Sequence, residues 1–344
     1  MKIVADVDIP FLEGVFEPYA EVLYKKGIDI SKEDVADADA LLVRTRTQCD
    51  ASLLEGSRLR VVASATIGTD HIDKEYCSSH GIKVRNASGC NAGGVMQYVF
   101  SAVYGIAARK GIKLDDFTFG VIGVGNVGSR VAEMAESLGF NVMRCDPPRE
   151  AKEGPEGFCS LEELLTQSQV VTLHVPLDET TRGMADEAFF TMMPPGSIFI
   201  NSSRGEVVDE DALMAAIPKM GAVVIDTWNN EPDVNVKLVD MVDIATPHIA
   251  GYSYQGKVNG TRMAVRAVAE CLGIEELADY TPAVVDEDHQ PVRLDLRGKN
   301  HGEIAAVLQY NYPIFTDDFR FRMEPHKFEK LRNEYQYRRE IVLE

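Results

Sequence analysis

Thirty residues, Phe119 to Pro148, constrain this chain more than any others: FGVIGVGNVGSRVAEMAESLGFNVMRCDPP. Phe119 to Ile122 is a short apolar run that predicts a strand, and Val127, Val131, Met134, Ala135 and Leu138 recur at helical spacing before Gly139 ends the helix. Between them lies Gly123-Val-Gly125-Asn126-Val127-Gly128. Gly123 allows the tight turn out of the strand, Gly125 lets a pyrophosphate approach backbone amides at a helix N-terminus, and Gly128 lets the helix pack closely on the sheet. A second strand, Asn141 to Cys145, ends at Asp146, 18 residues after Gly128. A carboxylate there suits an adenosine ribose. The motif predicts a dinucleotide site, and the acid favours NAD because it would repel the 2′-phosphate of NADP. Arg149 in DPPR softens that preference.

Short apolar runs recur on both sides of this unit. In the first 84 residues they fall at Ile3 to Ala5, Ala40 to Val43, Val61 to Ala63 and Ile82 to Val84, a spacing that suits a small parallel sheet. After Asp146 a helix near Leu161 to Gln167 leads to a strand at Val170 to Leu173. A helix near Asp186 to Phe190 leads to Ser197 to Asn201, and one near Glu210 to Ala216 leads to strands at Val223 to Asp226 and Asp243 to Ala245. The fold class expected is α/β: two doubly wound parallel-sheet domains plus a small α+β C-terminal dimerisation domain. Helix Val258 to Leu272 returns to the first unit, so the expected domains are residues 1–92 with 256–279, residues 93–255, and residues 280–344. In the last of these, Pro282 to Val285 and Val292 to Leu296 read as strands and Phe328 to Leu343 as a charged helix.

A net charge of −19 argues against nucleic acid or an anionic membrane as partner, since phosphate-tracking surfaces need clustered Lys and Arg. Any anionic substrate must meet a locally basic pocket. The six cysteines show no CxxC pair and no zinc spacing, so no metal is expected, and they read as reduced thiols. MKIVADVD lacks the apolar core of a signal peptide, which points to the cytoplasm. The run Gly93 to Ala108 contains Gln97 and is too short for a bilayer, so it reads as a buried helix.

Three strand ends in the second half deliver ionisable groups: Arg204 in INSSRGEVVD, Glu231 in DTWNNEP and His248 in ATPHIAGYS. Hydride transfer from a carbon bearing a hydroxyl needs a group to take the hydroxyl proton, and histidine titrates in the right range. A carboxylate beside it would hold the ring and favour its protonated form. A forked, permanently charged arginine can clamp a substrate carboxylate. Taken singly, His248 also suits a satisfied core histidine, and Arg204 with Glu231 a structural pair. In the first half, Arg44-Thr45-Arg46 and Ser64 to His71 come just past strand ends, where either ligand contacts or solvated loops are found.

Together GVGNVG, CDPP, INSSRG, DTWNNEP and PHIAGY, in that order, resemble the D-isomer-specific 2-hydroxyacid dehydrogenase family. ATIGTDHID, SGCNAGGV, DPPR and FEKLRNEYQYRRE further resemble its branch that oxidises 4-phospho-D-erythronate. The resemblance implies Arg204, Glu231 and His248 as the catalytic set, and NAD on Gly123, Gly125, Asn126, Val127, Gly128, Asp146, Ser202, Ser203, Arg204, Asp226 and Gly251. It implies Thr45, Thr66 and Tyr252 as substrate contacts and a homodimer built partly by the C-terminal domain. The family's usual Thr between His and Pro is Val175 here. Two other outcomes stay open: a 3-phosphoglycerate or hydroxypyruvate dehydrogenase, and an NAD-sensing corepressor. If the substrate carries both a carboxylate and a phosphate, Arg204 serves only the first. Arg44, with Thr45, is then expected at the phosphate. In an extended segment Arg46 would share a face with Arg44 and stay solvated.

Overall fold

The computed structural model describes residues 1–283 and 289–344. It divides into two compact units, Met1–Asn91 with Ser253–Pro291 and Ala92–Tyr252 with Val292–Glu344.

In the first unit β1 (Lys2–Asp6), β2 (Glu21–Lys25), β3 (Ala40–Val43), β4 (Val61–Ser64) and β5 (Lys83–Asn86) form one parallel sheet, ordered β2-β1-β3-β4-β5. The central strands ALLV and VVAS are buried along their whole length, as expected where both faces of a parallel sheet are covered. Helix Tyr254–Leu272 covers one face, packing Ala264, Val265 and Val268 with Ile3, Ala40 and Val61. Its start at Tyr254 rather than Val258 is set by Ser253, whose hydroxyl accepts from the Gly256 amide at 2.9 Å.

In the second unit β6 (Thr118–Ile122), β7 (Asn141–Cys145), β8 (Val170–Leu173), β9 (Ile198–Asn201), β10 (Ala222–Ile225) and β11 (Ile244–Ala245) form a parallel sheet ordered β11-β10-β9-β8-β6-β7. The chain order reverses around β6, so the turn leaving β6 sits at the switch point where doubly wound sheets bind ligands.

The C-terminal region departs from expectation. Residues 292–344 do not form a third compact unit but share the second unit's core, with Ile304, Leu308, Tyr312 and Ile341 packed in one cluster with Tyr98, Val99 and Phe100. The small residues of helix Ala92–Lys110 are used in this way within the chain: Gln309 Nε2 donates to the Ser101 carbonyl at 2.7 Å. They are therefore not left over for a partner. The expected charged helix stops early, at Phe328–Asn333, because β13 (Ile341–Leu343) pairs in parallel with β12 (Val292–Leu294). Two helices, His301–Asn311 and Ile314–Met323, were not anticipated. Pro282 and Ala283 are irregular, and the rest of that expected strand lies outside the described residues. Among the described residues no helix is long and apolar enough to cross a membrane.

Candidate active site

Gly123 has φ +83, a backbone region that L side chains rarely adopt. A Cβ on Gly128 would lie 1.9 Å from the Gly123 carbonyl oxygen, so the helix Asn126–Ser137 starts directly against the turn. Gly125 faces open space, with nothing within 4 Å of an added Cβ. These are the requirements of a diphosphate cradle: a sharp turn, bare backbone and a helix N-terminus. Val175 packs under the turn, its Cγ1 2.9 Å from the place of a Gly123 Cβ.

At the tip of β7, Asp146 accepts from the Val124 amide at 2.7 Å and the Arg149 amide at 3.0 Å, which points its carboxylate at the same turn. Arg149 folds back onto Glu153 through two bonds of 2.8 and 2.7 Å and donates to the Val124 carbonyl. Its charge is matched locally, which removes the main reason to expect tolerance of a 2′-phosphate.

Beyond β9, the fully buried Asn201 shapes the next loop. It donates to the Arg204 carbonyl at 2.9 Å and accepts from the Ser203 amide and hydroxyl at 3.0 and 2.8 Å. Ser203 is thus a brace. Among the described residues the buried Ser202 and Thr227 hydroxyls have no partner, which leaves them as donors and acceptors for a ligand. Gly205 admits no side chain, since a Cβ there would lie 2.0 Å from the Trp228 carbonyl carbon and oxygen. That close approach fixes the Arg204 loop to the loop that carries Glu231.

His248 Nδ1 lies 2.8 and 3.2 Å from the two Glu231 carboxylate oxygens. An imidazole so placed donates its Nδ1 proton to the carboxylate and keeps Nε2 for a ligand. Glu231 also accepts from the Trp228 amide at 3.0 Å. Burial would raise the Glu231 carboxyl, but the charge and hydrogen bond of His248, the Trp228 amide and the charge of Arg332 bring it below the usual carboxylate range. His248 has φ +55, a strained conformation for a residue with a side chain.

Asp226 holds that strain in place. Only 1% exposed, it accepts from the Thr246 hydroxyl at 2.6 Å and from the Ile249 and Ala250 amides at 2.8 and 2.9 Å, while its carbonyl accepts from the His248 amide. The Tyr98 hydroxyl donates to Thr246 in turn, and Trp228 Nε1 donates to the Thr246 carbonyl at 2.9 Å. Asp226, expected as an NAD contact, is in the first place the residue that shapes the His248 loop. Gly251 and Tyr252 come next in that loop.

The remaining residues expected at the site belong to the first unit. Arg44 is half-buried at the end of β3 and donates to the Asp8 carbonyl at 3.1 Å; Thr45 and Arg46 are exposed. Residues 45–47 bend rather than run extended, so the alternation of faces assumed for Arg44 and Arg46 does not apply. The Thr66 hydroxyl pairs with that of Ser64 at 2.8 Å. Among the described residues no group of three His, Cys, Asp or Glu stands close enough to hold a metal.

Residues 99–250 match the profile of the D-isomer specific 2-hydroxyacid dehydrogenase, NAD binding domain. An erythronate-4-phosphate dehydrogenase of Bacteroides fragilis is 41% identical over 99% of this chain and 97% of its own, and that of Bacteroides thetaiotaomicron 42% identical over the same shares. The chain belongs to the D-isomer-specific 2-hydroxyacid dehydrogenases. The crystal structure of NAD⁺-bound 3-phosphoglycerate dehydrogenase from Entamoeba histolytica superposes with a TM-score of 0.67 at 27% identity, over 83% of this chain and 99% of that one. As a member of this dehydrogenase family, the chain is an oxidoreductase with NAD as cofactor. The glycine turn, Asp146 and the unpartnered Ser202 and Thr227 hydroxyls fit that cofactor.

Proposed function

We propose that this protein oxidises 4-phospho-D-erythronate to (R)-3-hydroxy-2-oxo-4-phosphooxybutanoate, a step toward pyridoxal 5′-phosphate. What carries this is the identity of 41–42% with erythronate-4-phosphate dehydrogenases along nearly the whole chain. The 3-phosphoglycerate dehydrogenase of Entamoeba histolytica shares less of it, 27% over 83% of this chain.

NAD, when bound at the glycine turn, supplies the hydride acceptor for C2. His248 takes the C2 hydroxyl proton on Nε2, and the Nδ1 bond to Glu231 stabilises the imidazolium that results. Arg204 holds the C1 carboxylate and the adjacent oxygen, and keeps the substrate oriented toward His248. Thr45, Thr66 and Tyr252 are assigned as substrate contacts, and Arg44 as a ligand of the phosphate. The test is NADH appearance with purified protein across 4-phospho-D-erythronate, 3-phosphoglycerate, glycerate and D-erythronate. No NADH with any of them would favour an NAD-sensing protein over an enzyme.

Arg44→Ala is expected to raise KM for 4-phospho-D-erythronate by roughly 10- to 100-fold, because a charge-assisted contact is worth about 1.5 to 3 kcal/mol. KM for D-erythronate should change far less. An equal loss on both substrates would make Arg44 a structural residue, held by Asp8.

We also propose a homodimer, acting in the cytoplasm. Tyr310, Phe319 and Met323 are 88%, 63% and 64% exposed on helices His301–Asn311 and Ile314–Met323, apolar side chains available to a second copy. The six free cysteines suit a reducing compartment. Deleting the C-terminal region would strip the core of the second unit, so a point substitution is the cleaner test. Phe319→Glu should convert a sedimenting dimer into a monomer; a wild-type chain that already sediments as a monomer would refute the dimer.

A further inference from the structure

The C-terminal helix Phe328–Asn333 is anchored beside the His248–Glu231 pair. Trp228, Phe321 and Phe328 form an aromatic row, each ring centroid 5.8 Å from the next, with Phe321 and Phe328 buried against the core of the second unit. The same Trp228 donates its amide to Glu231. One turn along the helix, the Arg332 guanidinium carbon stands 5.8 Å from the ring centroid of Tyr252, four residues beyond His248. Its charge is felt at Glu231.

Arg332 differs from Arg322 and Arg338, and among the described residues shares with Arg339 a buried, unpartnered Nε; of these two, Arg332 is the one placed over Tyr252. Arg338 donates to Asp317 and to the Tyr335 hydroxyl, both at 2.8 Å, and Arg322 to Asp318 and the Val242 carbonyl at 2.8 and 2.7 Å. Arg332 Nε, by contrast, is shut off from solvent with no hydrogen-bond partner among the described residues. A desolvated, unpaired guanidinium N–H is costly unless an anion meets it. The substrate assigned above brings such anions. Its phosphate carries about −1.5 to −2 at pH 7 and its carboxylate adds one more, against the two charges of Arg204 and Arg44.

We propose that Arg332 is a ligand of the substrate, its guanidinium meeting an anionic oxygen of the hydroxy acid beside His248 and Tyr252. The C-terminal helix is then part of the binding site and not only of the core. This rests on the assignment of an anionic, phosphorylated substrate. The carboxylate and the phosphate offer the same chemistry, and the experiment separates them.

Arg332→Gln and Arg332→Lys are assayed with 4-phospho-D-erythronate and with D-erythronate, and NADH binding is followed by fluorescence on the same preparations. Arg332→Gln should raise KM by about 10- to 100-fold with NADH binding and the pH profile of kcat unchanged, and the Lys variant should recover part of the loss. A rise on both substrates assigns the carboxylate; a rise confined to the phosphorylated one assigns the phosphate. Unchanged KM, a shifted kcat profile without a KM change, or loss of NADH binding in both variants would overturn the proposal. Thermal protection of the NAD-bound protein by oxalate and by inorganic phosphate needs no turnover. If Arg332→Gln abolishes protection seen in the wild type, Arg332 is a ligand even should 4-phospho-D-erythronate prove not to be the substrate.

Discussion

His248→Ala should bind NAD as the wild type does and lose about 10²- to 10⁴-fold in kcat, the usual contribution of a positioned proton acceptor. The geometry allows this loss to be read cleanly. The loop is held by Asp226 through Thr246 and the Ile249 and Ala250 amides, none of which involves the imidazole. The φ of +55 suits alanine no better than histidine, so the substitution relieves no backbone strain, and thermal stability is followed beside kcat. Glu231 keeps the Trp228 amide and the charge of Arg332 after the ring is gone, which limits the cost of leaving a half-buried carboxylate behind. Fluorescence titration with NADH and steady-state kinetics on one preparation check both halves. Turnover near that of the wild type would remove His248 from the mechanism.

Gly128→Ala should weaken NAD binding by about 5- to 150-fold, the equivalent of the 1 to 3 kcal/mol that overpacking usually costs. The new methyl group would fall 1.9 Å from the Gly123 carbonyl oxygen, and backbone on both sides must move. Gly125→Ala is the control. Its Cβ meets no protein atom within 4 Å, so thermal stability should hold while cofactor affinity falls, because only the ligand's approach is obstructed. Wild-type affinity in Gly128→Ala, measured by calorimetry, would mean that the turn is not the diphosphate site.

Much of the site was legible because its chemistry sits at the ends of short, wholly apolar strands. IFIN before Ser202 and AVVI before Asp226 announce buried parallel strands, and the loop leaving such a strand in a doubly wound sheet lies at the ligand edge. The braces were harder to see. Thr246 and Tyr98 act through contacts made 20 and 148 residues apart, for which local pattern carries no signal. The C-terminal helices were missed for a different reason: exposed Tyr310, Phe319 and Met323 blur the apolar stripe that marks a helix face. The strand at Ile341 is specified by a partner at Val292, so the charged residues before it read as more helix. Arg332 was hidden in that same run of charge.

The interleaving of the two units has a consequence for how the protein is made. The sheet of the first unit is complete at Asn86, but the helix that covers one of its faces begins only at Tyr254. At about 5 to 20 residues per second, a ribosome needs roughly 10 to 30 s to add the intervening chain. During that interval Ile3, Ala40 and Val61 lack the neighbours that bury them in the finished unit. The second unit likewise waits for Ile341, three residues from the C-terminus, to seal against Tyr98 and Val99. Neither half can close its core early in synthesis, so nascent chains of this enzyme should depend on chaperones that shield apolar sheet faces. Expression yield should respond to translation speed between residues 86 and 254 more than to equal changes elsewhere.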